Sequence, residues 1–145
     1  MPAKLVIGLD GVSTGSRALS YAKRHAKLIG DCEIVVVYVI EWSPFTFQTP
    51  EENEKRHKRR EEELHVATDR IVNPVVKELQ DEGFAASGVV RHGDVADTLN
   101  AIAVEQEAEQ IVVGRSSEGG IATRLFGSSS INLVMHASMP VTVVA

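Results

Sequence analysis

The sequence predicts an α/β fold: a doubly wound, five-stranded parallel sheet with four helices on its faces. Two observations carry this. Residues 5–9, 34–40, 111–113 and 141–144 are short runs rich in β-branched side chains and apolar almost without interruption, with a fifth candidate at 85–91. Strands apolar on both faces belong to parallel sheets covered by helices on each side. Between these runs, apolar residues recur three and four apart, the pattern of helices with one buried face. Strands and helices that alternate in this way require right-handed crossovers and hence a Rossmann-like sheet.

The first helix is expected over 14–29, with Ala18, Leu19, Ala22, Ala26 and Ile29 on its buried face and Ser13 or Thr14 as its cap. A second is expected over 54–82. Glu51, Glu52 and Glu54 suit the positive end of its dipole, Leu64, Ala67, Ile71, Val75 and Leu79 form its apolar stripe, and Gly83 stops it. Pro74 has no N–H to donate, which predicts a kink or break near Asn73. The third helix is expected over 95–107, with Leu99, Ile102 and Ala103 inward and Asp94 serving the helix start rather than a ligand; the fourth is expected over 128–136. Residues 42–53, with Trp42, Pro44, Phe45, Phe47 and Pro50, read as an irregular excursion that covers a pocket or a partner.

A chain of 145 residues matches the commonest single-domain size, and one domain over 1–145 is expected. Fifteen Lys and Arg against twenty Asp and Glu give a formal net charge of −5, which supplies no overall cationic field for nucleic acid or an anionic membrane. No apolar run approaches the roughly 20 residues of a membrane span. The single Cys32 cannot form an internal disulfide and residues 1–5 lack the apolar core of a secretory signal, so a cytoplasmic location is expected.

In doubly wound sheets ligands settle beyond the carboxyl ends of the strands, where the strand order reverses. That directs attention to residues 10–15, 38–41, 93–94 and 114–130. The strongest local signal follows the fourth strand, where Val113-Gly114-Arg115-Ser116-Ser117 leads through Gly119 and Gly120 to Gly127-Ser128-Ser129-Ser130 and a helix. Gly114 lets the backbone leave the strand sharply, and a Gly-Ser-Ser helix start aims free N–H groups and hydroxyls at an anion, as a polyphosphate cradle requires. Arg115 and Arg124 add cationic charge. The same residues also suit a plain turn followed by an N-cap.

The chain as a whole resembles a universal stress protein domain. Nucleotide-binding members of that family show G-x2-G-x9-G-[ST] after the fourth strand; Gly114, Gly127 and Ser128 match, while Ser117 stands in place of the second glycine at unchanged spacing. The resemblance extends over residues 6–11, 36–40, 91–94 and 136–144. It implies an ATP or AMP site, with Mg2+, in which Leu9 and Asp10 lie at the end of the first strand, Asp10 contacting ribose or metal. Val39 offers backbone groups to adenine, and Val113, Gly114, Ser117, Gly127, Ser128 and Ser129 wrap ribose and phosphates. Asp10 also suits a helix cap or turn. The resemblance further implies a homodimer. The terminal run 141–144 is a short apolar edge strand, prone to aggregation if bare, and its pairing with a second copy would satisfy it.

Other chemistries find less support. Lys55-Arg56-His57-Lys58-Arg59-Arg60 is followed at once by Glu61-Glu62-Glu63, opposite charges at helical spacing on a solvated face. The five histidines show no metal-ligand spacing, and Cys32 reads as a small buried side chain. Residues 11–16 lack the P-loop lysine and the GxGxxG spacing. No GxSxG elbow or arranged acid-base pair appears, so the expected function is a nucleotide-binding stress-response regulator that acts through conformational or partner switching, with at most slow hydrolysis. A nucleotide-independent dimeric interaction protein of the same fold is the alternative. A phosphate-ester hydrolase built on Asp10 and a metal is a third reading with no second acid or base to support it.

Overall fold

The computed structural model describes residues 2–9, 16–41, 49–114 and 131–144. Its strands are β1 (Ala3–Leu9), β2 (Cys32–Glu41), β3 (Ala85–Gly93), β4 (Gln110–Gly114) and β5 (Val141–Val144), all parallel and ordered β3-β2-β1-β4-β5. Helices α1 (Ser16–Ile29), α2 (Pro50–Ala67), α3 (Asn73–Asp81) and α4 (Val95–Glu105) connect them, with a further helical stretch over 131–136. α2 and α3 form one rod through a π-helical turn at Thr68–Val72, giving four helical units among the described residues.

The apolar runs become strands because two core layers need them. Leu5, Ile7 and Leu9 of β1 join Ile34 and Val36 of β2 and Val112 of β4 beneath Ala18, Leu19, Ala22 and Ala26 of α1 and Val75 and Leu79 of α3. On the opposite face, Val6, Val35, Val37, Val39, Ile111 and Val113 pack with Ala96, Leu99, Ile102 and Ala103 of α4 and with Leu133. Leu5, Val6 and Ile7 are fully buried, each side chain contributing roughly 1.5–3 kcal/mol of transfer free energy. The edge strand β3 is only partly buried along most of its length, which is why its sequence reads less clearly as a strand.

α2 begins at Pro50, four residues before the expected start at residue 54. Thr49 caps it: its Oγ1 accepts from the Glu52 N–H at 3.2 Å while the Glu52 carboxylate accepts from the Thr49 N–H at 3.1 Å. The Thr-Pro-Glu-Glu stretch at 49–52 carries both that capping box and a proline suited to the first helical turn, the signal that fixes the true boundary.

Pro74 does not break the helix. Asn73 keeps helical angles (φ −57°, ψ −40°), and its N–H bonds to the Thr68 carbonyl five residues back. This wider turn meets the constraint that a proline ring clashes with the carbonyl four residues earlier in a regular α-helix. It also lays Val72, fully buried, against β3 at Gly88, where an added Cβ would overlap Val72 Cγ1 and come within 3.2 Å of Val76 Cγ2. α4 runs over 95–105, two residues shorter than expected. Asp94 is its N-cap, accepting from the Asp97 N–H at 3.0 Å, and Glu107, at φ 54°, has left the helix.

Polar clamps at the periphery tie helices to one another and to strands. Lys23 of α1 bridges Glu82 at 2.6 Å and Glu78 at 3.4 Å, and its ammonium pKa is raised first by the hydrogen bond to Glu82. Arg91 of β3 grips Glu105 of α4 with two hydrogen bonds at 3.0 and 2.6 Å, which hold the Glu105 carboxyl below its ordinary 4.5.

Gly88→Ala is expected to destabilise the protein by about 1–3 kcal/mol through overpacking at the π-helical turn. Urea unfolding measures this, and Val72→Ala in the same chain should recover part of the loss. Gly83→Ala, with open space around it but φ +92°, is expected to cost about 1–2 kcal/mol through backbone strain instead. Because the folded-state pKa of Glu105 is depressed, its contribution is complete above pH 4.5 and fades as pH falls below that value. Glu105→Gln should therefore flatten the acid limb of a stability-versus-pH curve.

Candidate functional site

The strand order reverses at β1: β2 lies on one side of it, β4 on the other, and the crossover helices leave to opposite faces. At the carboxyl end of this switch point the strands stop at different heights. β1 pairs with β2 as far as Leu9↔Tyr38, and β4 pairs with β1 as far as Gly8↔Val113, which puts Gly114 level with Leu9. β2 and β3 continue together for three further residues, Val39↔Arg91, Ile40↔His92 and Glu41↔Gly93. The sheet is thus stepped, with a wall roughly 10 Å high beside the described ends of β1 and β4.

Of the nine sequence-predicted site residues, the structure brings Leu9, Val39, Val113 and Gly114 to this step. Asp10, Ser117, Gly127, Ser128 and Ser129 lie outside the described residues. Three of the four placed residues have their side chains committed elsewhere. Leu9 is 8% exposed in the α1-side core, and Val39 at 7% and Val113 at 1% are in the α4-side core, so what they present at the step is backbone. Gly114 has no side chain, and among the described residues a Cβ there would come within 4 Å of Ala18 Cβ alone, at 3.9 Å.

The wall carries one feature the sequence reading passed over. His92 of β3 is 9% exposed and lies 3.2 Å from the Glu63 carboxylate of α2, tying that helix to the upper end of the sheet. The signal was alternation: Arg91 faces α4 and bonds Glu105, so His92 must face the opposite helix layer. Along α2 the same inward line holds Arg56 and Arg60, both half-buried, then Leu64 and the buried Ala67. The two guanidinium groups are one turn apart, and burial and the like charge of Arg60 together lower the Arg56 pKa.

Other chemistry is not assembled among the described residues. No group of three or more His, Cys, Asp and Glu side chains there could hold a metal ion. Cys32 is 8% exposed at the amino end of β2, in a cleft of about 320 Å³ with Lys27, Asp31, Glu82 and Phe84. Burial first, and then the negative fields of Glu109, Asp31 and Glu33, push its thiol up, the opposite of what a nucleophilic cysteine needs. Asp94, at the upper end of β3, is occupied as a helix cap. No helix among the described residues is long and apolar enough to cross a membrane.

Comparison with known proteins agrees with this fold. Universal stress protein MT2052 of Mycobacterium tuberculosis is 30% identical over 152 residues, which take in 97% of this chain and 47% of that protein, so the chain spans about half the length of this curated relative. A solved structure, that of a protein designated MJ0577, superposes with a TM-score of 0.77 at 22% identity, covering 99% of this chain and 96% of the other. The universal stress protein from Archaeoglobus fulgidus in complex with dAMP has a TM-score of 0.62 at 20% identity, with 99% and 98% covered. The model of the universal stress protein family matches residues 1–145, and the chain belongs to that family.

Proposed function

We propose that the protein binds an adenine nucleotide, ATP or AMP with Mg2+, at the stepped carboxyl edge of the sheet, and that the bound nucleotide changes the surface offered to a protein partner. The observation that carries this reading is Gly114, a residue without a side chain that ends β4 level with Leu9 at the switch point. Backbone groups of Leu9, Val39 and Val113 border the same step. The main chain of Val39 near the end of β2 suits the edge of an adenine ring, and the Gly-Ser-Ser sequence at 127–129 suits phosphate oxygens, which take hydrogen bonds from successive backbone N–H groups. Asp10 and the phosphates would hold the cation. The dAMP complex of the Archaeoglobus fulgidus relative supports the choice of an adenine nucleotide. With no arranged general base or nucleophile among the described residues, any hydrolysis is slow and incidental, and we place the protein in the cytoplasm.

A second reading, a dimeric interaction protein that works without nucleotide, is favoured by the surface beside β5. Ile131, Val134 and Met135 are 68%, 53% and 72% exposed, and Val143 of the edge strand is 39% exposed. Leu133 and Val141 share one core layer, which sets that helical stretch next to β5. Pairing of β5 with a second copy would cover the strand edge and the apolar side chains together.

Protein purified without added nucleotide and then denatured should release ATP, ADP or AMP, identified by mass spectrometry against a protein-free blank. Calorimetry with Mg2+ should show ATP binding that Gly114→Val weakens at least tenfold, about 1.4 kcal/mol. An empty protein that binds neither ATP nor AMP would leave the nucleotide-independent reading. Sedimentation at micromolar concentration should show a dimer, and a monomer alone would contradict pairing through β5.

A further inference from the structure

One polar chain crosses the α1 face from helix to edge strand. The Thr142 hydroxyl of β5 donates to Gln110 Oε1 at 2.7 Å, and Gln110 Nε2 donates to His25 Nε2 of α1 at 2.8 Å. The His25 ring is stacked on Tyr21, with centroids 5.5 Å apart and planes 12° from parallel. With Oε1 accepting from Thr142, the NH2 group of Gln110 faces His25, and the contact is satisfied by the tautomer that leaves Nε2 bare and carries the proton on Nδ1.

Protonation at Nε2 would set an N–H against the amide NH2, donor against donor. Both contacts survive only if the Gln110 amide turns over, so that Oε1 accepts from the imidazolium and Nε2 donates to Thr142 Oγ1. A hydroxyl can both donate and accept, so the turned amide is also satisfied, and the Thr142 proton is released to another acceptor. The Tyr21 face tolerates a cation equally well. Both arrangements keep the two contacts, and a proton on His25 Nε2 permits only the second.

We propose that His25, Gln110 and Thr142 form a proton-coupled amide switch that reverses hydrogen-bond polarity at the edge strand when the protein moves into mildly acidic conditions. Histidine is the side chain that ordinarily changes charge between pH 5 and 8. The ionisable strand residues on this face are Cys32, whose thiol burial pushes up, and Tyr38 of β2. On α1, Lys23 is engaged with Glu78 and Glu82 of the α3 end, and Lys27 lies over the Phe84 ring. Asp31 and Glu109, the acids whose fields reach Cys32, flank the amino ends of β2 and β4. The switch rests on the hydrogen-bond geometry alone and does not depend on nucleotide binding.

Nuclear magnetic resonance of the whole chain between pH 8 and 5 tests it. The side-chain NH2 signals of Gln110 and the methyl signal of Thr142 should move with the same midpoint as the His25 ring, and Gln110→Leu should abolish the Thr142 movement while His25 still titrates. His25→Phe, which keeps an aromatic ring over Tyr21, should abolish the movement at both Gln110 and Thr142. A Gln110 amide that stays fixed while His25 titrates, or a Thr142 response that persists in either variant, overturns the proposal.

Discussion

Because Leu5, Val6 and Ile7 of β1 are fully buried, the central strand is enclosed by helix layers above and below and by β2 and β4 on its two edges. No backbone or side-chain group along that stretch can face water, so its position is determined from four directions. The parallel register of β2 and β4 is set against it, residue for residue. The crossovers to those two neighbours must pass over opposite faces, and that divergence opens the step at the carboxyl edge. The candidate binding edge thus begins at the end of the strand that is enclosed on all four sides.

This arrangement also explains why the fold was more legible in the sequence than the site. Strands apolar on both faces and helices with one apolar stripe announce themselves by composition, and the core residues named from periodicity in α1 and α4 are the ones that pack. Two features depended on local chemistry that periodicity does not report. The start of α2 was decided by Thr49 and Glu52 bonding each other's backbone, and the passage through Pro74 by a widened turn rather than a break. Of the predicted site, Leu9, Val39, Val113 and Gly114 were named from motif position; the structure puts them near strand ends with the side chains of the first three in the core, so main chain is what they offer there, and a side-chain motif describes that only indirectly. His92 was missed because its role comes from the face it occupies on an edge strand, beside a helix nearly thirty residues earlier in the chain.

Membership of the universal stress protein family accounts for the architecture. Polar crossings join the layers of this chain, Arg91 to Glu105, His92 to Glu63, and His25 through Gln110 to Thr142. Each links a helix to a strand outside the apolar core. Partly exposed pairs of this kind contribute modestly to stability, and their larger effect is to fix which helix face meets which strand.

The length of the second crossover has a mechanical consequence. α2, the π-helical turn and α3 add 18, 5 and 9 residues in succession, about 48 Å of continuous helix at 1.5 Å per residue. Glu63 stands beside His92 near the top of β3, and the turns before it run about 20 Å further along the same axis. A lever of that length passes a push on its first turns down to the π-helical turn and to the close contact between Val72 and Gly88, where the rod rests on the sheet. Displacement of the start of α2 thereby acquires leverage on β3, and through β3 on the wall of the step.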